Sequence, residues 1–448
     1  MSFAPAQVPA DVPANVPADV PAGFQTGFAV RPDLVVEAAH ADDVRTAVAD
    51  AAGRGLPVRV HATGHGLPGA VEGGVLISTR RMDSVEVDPV LRTARIGAGV
   101  TWGQVIEAAA PHGLAPLNGS SPGVGAVSYT LGGGLGVLAR EFGYAADHVR
   151  ALDVVTADGV PRHVSQDSEP DLFWALRGGG HRLGVVTGME IGLVEAGRLY
   201  GGSIAFDGDG GMADAVIRRY LEWTRTVPDA LTSSLSALRF PDLPQMPEPM
   251  RGRYVISVRV AYTGSTAEGE RMVAPLRAIG PALADSLREM PYTDSHTIHN
   301  DPPFPHAYYG DSVVLGDLDA ERAVRTLELT GPKAPMMTVV QLNHLGGALA
   351  LRPAVDNAVP YREAGFLLRL LSPLDGTDVA SVRALYAEVA EVLAPLALGR
   401  SLNFSFGGGD RTDGFHDART KKRLAGLVSR HDPASLFGGS YGISRDGR

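Results

Sequence analysis

The chain has no cysteine among its 448 residues. That absence excludes disulfide bonds, thiolate catalysis, zinc–thiolate sites and cofactors linked through a thiol. The net charge of −10 leaves no overall basic field to hold nucleic acid or an anionic membrane. No segment reaches the roughly 20 apolar residues of a membrane span. With 44% hydrophobic and 20% charged residues, the composition is typical of a soluble, cytoplasmic globular protein.

The first 25 residues differ from the rest because Val-Pro-Ala occurs four times. Proline at this spacing prevents a helix and favours an extended, solvated chain, so residues 1–25 are predicted to be a disordered leader. The segment lacks the basic start and apolar run of a secretory signal. Ordered structure is expected from about Pro32, and the length predicts two or three domains.

Strand and helix patterns alternate along the rest of the chain, which predicts an α+β protein. Thr101 and Gln104 form the pattern of a capping box, and Asp158-Gly159 marks a hairpin. After about residue 200, helices around 211–226, 266–288, 318–330 and 378–395 alternate with strands at 254–262, 337–347 and 366–373. This pattern predicts a second domain built on an antiparallel sheet with one face covered.

The stretch from Gly119 to Val149 is unusually rich in glycine. Glycine lets the backbone approach a bulky group closely, so main-chain N–H groups there can hold a phosphate or a flat ring. The alternative is that this stretch binds no ligand and is a loop-rich segment that packs other parts of the chain together.

Three other motifs do not carry a function. GHGLPG (64–69) matches a dinucleotide fingerprint, but no helix begins there. GGSYG (438–442) matches a serine-hydrolase elbow, but no histidine follows it. The histidines of 296–306 lie among prolines without paired acids, so they are interpreted as surface loop residues and no metal site is predicted.

Several stretches in order resemble the FAD-binding oxidoreductases of the vanillyl-alcohol oxidase superfamily, in the berberine bridge enzyme-like branch. They are VRVHATGHGLPG (58–69), PGVGAVSYTLGGGLGVLAREFGYAADHV (122–149), DLFWALRGGGHRLGVVT (171–187), GGALA (346–350), LNF (402–404) and HDPASLF (431–437). The resemblance implies a two-subdomain PCMH-type FAD-binding domain at 30–197, an α+β substrate domain at 198–399, and a C-terminal segment at 400–448 that packs back on the FAD domain.

The resemblance also implies which residues bind FAD. His65 matches the histidine bonded to the flavin, and Ser121 replaces a cysteine that bonds the flavin in many relatives, so attachment through His65 alone is expected. The predicted cofactor-binding residues are Arg59, His61, Ala62, Thr63, Gly64, His65, Gly66, Gly69, Ser121, Gly125, Thr130, Gly132, Gly133, Gly134, Gly136, Gly184, Val186, Asn403 and Tyr441.

Relatives that oxidise alcohols often carry Asn-Tyr where this chain has Asn403-Phe404, and a phenyl ring cannot accept a proton. The predicted catalytic residues are therefore His344 as base, Gln341 and Asn343 as its neighbours, and Tyr441 as the competing base. The alternative for His344 is a structural role, in which the buried ring forms hydrogen bonds with other polar groups of the core. Arg362 is interpreted either as an anion ligand or as half of a buried ion pair, and Tyr308 and Tyr309 as pocket-wall or surface aromatics.

The resemblance implies an FAD-dependent oxidoreductase that removes hydride from a small organic substrate, expected to be a secondary metabolite, with dioxygen reoxidising the flavin. Because the usual base is absent, an alternative function is a flavoprotein scaffold that catalyses a non-oxidative cyclisation or elimination. A flavin-binding module without turnover is a third hypothesis. No nucleic-acid or membrane partner is expected.

Overall fold

The computed structural model describes residues 20–244, 246–408 and 413–438. Ten α-helices lie within these ranges. They are α1 Ala41–Arg54, α2 Trp102–Ala109, α3 Ala126–Leu131, α4 Ala139–Phe142, α5 Pro170–Leu176, α6 Met212–Thr224, α7 Thr266–Arg277, α8 Ala320–Thr330, α9 Val379–Leu393 and α10 Ala418–His431.

The same ranges contain 21 strands in five sheets. They are β1 Val30–Arg31, β2 Leu34–Glu37, β3 Val58–His61, β4 Val71–Glu72, β5 Val75–Ser78, β6 Val85–Asp88, β7 Thr93–Gly97, β8 Leu114–Ala115, β9 Val149–Val155, β10 Pro161–Ser165, β11 Val185–Gly192, β12 Val194–Glu195, β13 Arg198–Asp207, β14 Leu231–Arg239, β15 Tyr254–Tyr262, β16 Ala284–Asp285, β17 Arg288–Pro291, β18 Tyr308–Leu315, β19 Val339–His344, β20 Phe366–Pro373 and β21 Ala397–Gly399.

Two sheets organise the first part of the chain. A three-stranded parallel sheet has the order β2-β5-β3, and a five-stranded sheet has the order β10-β9-β11-β7-β6. Helix α1 packs its apolar stripe between them, because Val44, Val48 and Ala51 join one buried cluster with Val58 and Val155. Helix α2 begins with the predicted capping box, in which Gln104 accepts a hydrogen bond from the backbone N–H of Thr101 at 2.9 Å.

A nine-stranded sheet dominates the second part. Its order is β16-β13-β15-β14-β19-β20-β18-β21, with β17 added beside β13, and every pairing is antiparallel. Alternate residues of these strands pack with helices α6 to α9 in one apolar cluster. The remaining residues lie on the opposite face, toward the first part of the chain.

The described C-terminal residues return to the first part of the chain. Arg423 of α10 lies 3.8 Å over the ring of Trp174 on α5, and Leu436 and Phe437 join the α1 cluster. The predicted α+β fold class is confirmed. The predicted domain bounds agree with a long sheet that runs from Arg198 to Gly399, and they stay predictions.

Two local predictions need correction. The helix predicted at 266–288 ends at Arg277, because the following residues pair with β13 as β16 and β17. Most of the predicted leader lies outside the described residues, but its last residues are packed: Phe24 donates a backbone hydrogen bond to Thr63 O at 3.0 Å, and Gln25 is 3% exposed. Ordered contacts therefore begin before Pro32.

Candidate functional site

A cavity of about 800 Å³ lies between the loop that follows β3, the glycine-rich stretch and the open face of the nine-stranded sheet. This volume falls in the range of small-molecule and cofactor sites. The first two walls come from the segments whose motifs predict cofactor binding. The sheet supplies the third wall, so the two parts of the chain meet at the cavity.

His65 lies at the wall formed by the β3 loop. Its Nδ1 is 2.8 Å from Thr63 Oγ1, its ring stacks on Phe24 with centroids 3.9 Å apart, and its carbonyl accepts a 2.6 Å hydrogen bond from the Tyr308 hydroxyl. Burial lowers the pKa of His65 to about 4, and nearby His306 adds to the shift. The imidazole is therefore neutral at pH 7, with a lone pair on a ring nitrogen.

The turn before His65 needs glycine. Gly64 has φ +72°, and a Cβ there would lie 2.5 Å from His61 Nε2 and 2.7 Å from Gly23 Cα. His61 is 3% exposed, and burial lowers its pKa to about 4. The turn thus packs a neutral histidine under the loop that presents His65.

Many predicted cofactor residues line the cavity: His61, Ala62, Thr63, Gly64, His65, Gly66, Ser121, Gly132, Gly136, Gly184, Val186 and Asn403. Six others lie outside its lining, and their cofactor roles stay predictions: Arg59, Gly69, Gly125, Thr130, Gly133 and Gly134. Thr130 is fully buried and donates to Ala126 O at 2.8 Å within α3, whereas Gly125 donates its N–H to Thr63 Oγ1 at 3.3 Å. Arg59 donates to the carbonyl of Val58.

Asn403 holds the glycine turn rather than facing the cavity with a free amide. Its Oδ1 accepts a hydrogen bond from Gly134 N at 2.9 Å, and its Nδ2 donates to Tyr129 O at 2.9 Å. Gly134 has φ +77°, and a Cβ there would lie 2.6 Å from the Tyr129 ring. Gly133 has φ +108° and faces Val359. Backbone conformation and packing thus account for glycine at both positions.

The predicted catalytic neighbours Gln341 and Asn343 lie on the cavity face of β19. Gln341 Nε2 donates to Asn343 Oδ1 at 2.9 Å, and Gln341 Oε1 accepts from Arg369 at 3.3 Å. The guanidinium of Arg369 also lies 3.9 Å over the ring of Phe404. Gln341 and Asn343 therefore help to position Arg369.

His344 also lines the cavity, and its Nδ1 is buried with no partner among the described residues. Burial lowers the pKa of His344 to about 3, and Arg140 adds to the shift. The imidazole is therefore neutral at pH 7 and a weaker base than its reference pKa of about 6.5 would give, and its role as base stays a prediction. The competing residue, Tyr441, lies outside the described residues, so its catalytic and cofactor roles stay predictions.

Three cavity residues were not predicted from the sequence. Arg259 and Arg369 are the single charged residues of the mostly apolar strands YVISVRVAY and FLLRLLSP, and this pattern is visible in the sequence. Asp301 lines the same region, where its Oδ2 accepts a hydrogen bond from Ser120 Oγ at 2.5 Å.

The surface interpretation of the three histidines at 296–306 needs correction for two of them. His299 and His306 line the cavity, while His296 is exposed. Within residues 20–244, 246–408 and 413–438, no cluster of three acidic or histidine side chains could hold a metal ion.

Arg362 forms an ion pair with Asp147 at 2.5 Å, and both side chains are mostly buried, at 15% and 10% exposure. The ion-pair alternative is therefore correct for Arg362. Tyr308 contributes to the cavity wall, whereas Tyr309 is fully buried against the helices on the other face of the sheet.

FAD fits these residues. His61 Nδ1 and His65 Nε2 are buried and have no partner in the part of the chain that the structure describes, so they are available to a bound group. Small residues and loop backbone form the neighbouring wall, which leaves room for a flat ring.

Comparison with known proteins identifies the first part of the chain. The family model "FAD binding domain" matches residues 32–165. The (R)-6-hydroxynicotine oxidase of Paenarthrobacter nicotinovorans is 32% identical over 275 residues, which are 59% of this chain and 56% of that protein. An FAD-dependent monooxygenase of Fusarium proliferatum is 34% identical over 47% of this chain and 41% of its own length. The chain thus spans about half the length of these curated relatives.

Solved structures show the same fold over nearly the whole chain. A 6-hydroxy-D-nicotine oxidase from Arthrobacter nicotinovorans superposes with a TM-score of 0.80 at 24% identity, covering 95% of this chain and 94% of that one. The glucooligosaccharide oxidase of Acremonium strictum, described with a 6-S-cysteinyl, 8α-N1-histidyl FAD, superposes with a TM-score of 0.81 at 18% identity and 94% coverage of both. Residues 32–165 therefore match an FAD-binding domain, and the chain as a whole shares the fold of these FAD-dependent oxidases.

Proposed function

We propose that the protein is an FAD-dependent oxidase that removes hydride from a small organic substrate. The observation that carries this proposal is the shared cavity, which brings the His65 loop and the polar face of the nine-stranded sheet together. Oxidation of 6-hydroxynicotine and of oligosaccharides by similar proteins supports it. A role in secondary metabolism and a cytoplasmic location belong to the same proposal.

The cofactor is attached through His65 only. A neutral imidazole held by Thr63 and Phe24 offers a nitrogen for a covalent bond, and the chain contains no cysteine for a second bond. When bound, FAD accepts the hydride, and dioxygen reoxidises it. The residues of the chain then bind and orient the substrate and exclude water.

The proton chemistry limits the substrates that this proposal allows. Phe404 cannot accept a proton, and the lowered pKa of His344 makes it a weak base. The substrate must then lose hydride without a strong base on the sheet, as an amine or an already ionised group does. The same observation favours the rival, a non-oxidative cyclisation or elimination on a flavoprotein scaffold.

Anaerobic mixing with candidate substrates tests the proposal. The oxidase bleaches the flavin stoichiometrically with product, and air then restores the colour and releases peroxide. An isomeric product formed without bleaching would establish the rival. Protein that is yellow but unreactive toward a broad panel of amines, alcohols and acids would favour a binding module.

Covalent attachment has its own test. Acid precipitation should leave the flavin in the pellet for the natural protein and release it for His65→Ala. Release from both proteins would contradict attachment through His65.

A further inference from the structure

We propose that the substrate is an apolar carboxylic acid whose carboxylate binds between Arg259 and Arg369. The inference deepens the proposed function and rests on it, because the arginines lie in the same cavity as the His65 loop. It names the class of molecule that this cavity recognises.

The register of the sheet places both arginines on one face. Arg259 on β15 lies opposite Ser234 on β14, and Ser234 lies opposite Asn343 on β19. Two residues along β19, Gln341 lies opposite Arg369 on β20. Three strand spacings, roughly 14 Å, separate the backbones of the two arginines across the sheet, a span that two long side chains can bridge. A ligand above Ser234 and Asn343 is therefore within reach of both guanidinium groups.

Arg259 is the less satisfied of the two. Its NH1 atom is buried and has no hydrogen-bond partner among the described residues, and no acidic side chain there pairs with it within 4 Å. The carboxylate of Asp301 acts on Arg259 only at longer range. A buried guanidinium with an unsatisfied N–H group is destabilising, so a cavity that keeps one is arranged for an anionic ligand. Planar guanidinium groups match a carboxylate through two parallel hydrogen bonds.

Arg369 is already held in place. Gln341 accepts its hydrogen bond at 3.3 Å, and its guanidinium stacks 3.9 Å from the ring of Phe404. Neither of these two neighbours is charged, so only the more distant carboxylate of Asp301 offsets the positive charge of Arg369. The stack also fixes the plane of the guanidinium, which lowers the entropy lost when an anion binds.

The charges at this end of the cavity favour a single negative charge on the ligand. Desolvation raises the pKa of the Asp301 carboxyl, but the hydrogen bond from Ser120 and the charges of Arg259 and Arg369 lower it on balance, so Asp301 is ionised at pH 7. Burial lowers the pKa of His299, so that imidazole is neutral at pH 7. Two guanidinium groups and one carboxylate leave one positive charge, which a monocarboxylate balances and a phosphate monoester exceeds.

The surroundings favour an apolar body. Phe240, Met246 and Met337 line the cavity, and Leu243 and Phe304 at its wall are 48% and 57% exposed. Large exposed apolar side chains beside a polar pocket are typical of a binding surface. A substrate with an apolar skeleton covers these side chains while its carboxylate meets the arginines.

Isothermal titration calorimetry of the full-length, flavin-loaded protein with benzoate and with benzamide tests the proposal. These probes share shape and differ in charge. Benzoate should bind at least tenfold more tightly than benzamide, and Arg259→Met should weaken benzoate at least tenfold without changing benzamide. Arg259→Lys keeps the positive charge but lacks the planar pair of N–H donors of a guanidinium, so it should recover part of the affinity. Arg219→Met, on the exposed side of α6, is the matched control and should bind as the natural protein does.

Three results would overturn the proposal. They are equal binding of benzoate and benzamide by the natural protein, tighter binding of phenyl phosphate than of benzoate, and unchanged benzoate affinity per flavin in Arg259→Met. The third result combined with a loss of flavin would assign the arginine to the cofactor instead. The comparison of probes in the natural protein needs no variant, so misfolding of Arg259→Met leaves the test intact. Absence of flavin from the natural protein would contradict the proposed function itself, whatever benzoate does.

Discussion

Phe24 lies flat against the imidazole of His65, with ring centroids 3.9 Å apart and planes inclined by 12°. The contact joins the N-terminal segment to the residue proposed to hold the flavin. It fixes the ring plane, while Thr63 fixes the rotation of the ring through the bond to Nδ1.

Loss of this stack should impair flavin attachment. We expect Phe24→Ala to lower the fraction of flavin that stays with acid-precipitated protein several-fold, because His65 then samples other orientations. Phe24→Tyr retains the ring and should keep the natural fraction. Full attachment in Phe24→Ala would show that the stack is only a packing contact.

Gly134 should be required for folding rather than for cofactor binding. An alanine Cβ would lie 2.6 Å from Tyr129 and 2.7 Å from Ala145 at φ +77°, so Gly134→Ala should lower the free energy of unfolding by about 2–4 kcal/mol. Gly53→Ala, at a helix position with open space around it, should be neutral or stabilising. Chemical denaturation measures both. A Gly134→Ala protein that is stable but lacks flavin would show instead that Gly134 is required for cofactor binding.

The Arg362–Asp147 pair should contribute to stability. Both groups are mostly buried, so Arg362→Met strands a carboxylate and should lower the free energy of unfolding by about 3–5 kcal/mol. The exposed pair Arg31–Glu72 provides the control, and Arg31→Met should cost less than about 1 kcal/mol. Equal losses in the two variants would contradict the buried-pair interpretation.

Folding stability should fall between pH 6.5 and pH 4. Burial lowers the pKa of His61 and His181 to about 4, so the unfolded chain, with histidine pKa values near 6.5, binds protons that the folded chain does not. Stability is therefore fully present above pH 6.5 and is lost as the pH falls toward 4. The urea midpoint, followed across this window, should slope less steeply in His181→Gln than in the control His112→Gln, whose histidine is exposed. Identical slopes would show that His181 does not titrate in this way.

His344 should not be the base. With its pKa lowered to about 3, His344→Gln should change the anaerobic rate of flavin reduction by less than tenfold and leave its pH profile unshifted. Tyr441→Phe is the companion variant, since that residue is the competing candidate. A loss of a hundredfold or more in His344→Gln, together with loss of an inflection in the pH profile, would return the role of base to His344.

Local patterns predicted the elements better than the site. The strands predicted at 254–262 and 366–373 have these bounds in the structure, because alternation of apolar residues is a property of one segment. Arg259 and Arg369 stand in these same strands. Their convergence depends on the pairing of four strands that are far apart in sequence, which no single segment reveals.

The glycines show a different limit. Glycine can be required to leave room for a ligand, or to adopt a positive φ beside a tyrosine ring. The sequence does not distinguish these two reasons. The structure places Gly64 at the cavity and Gly134 in the packed interior. The argument for His344 has a related limit, because a reference pKa carries no information on burial, which lowers the pKa of this histidine to about 3.

The alternation along β14, β15, β19 and β20 separates positions that pack on helices from positions that face the cavity. Val258 and Leu342 pack on helices, while their neighbours Arg259 and Asn343 face the cavity. Substitutions at the cavity-facing positions leave the helix-packed layer intact, so new substrate preferences can arise by single changes in a stable scaffold. A mutant library confined to Ser234, Arg259, Asn343 and Arg369 therefore samples specificity with little loss of folded protein.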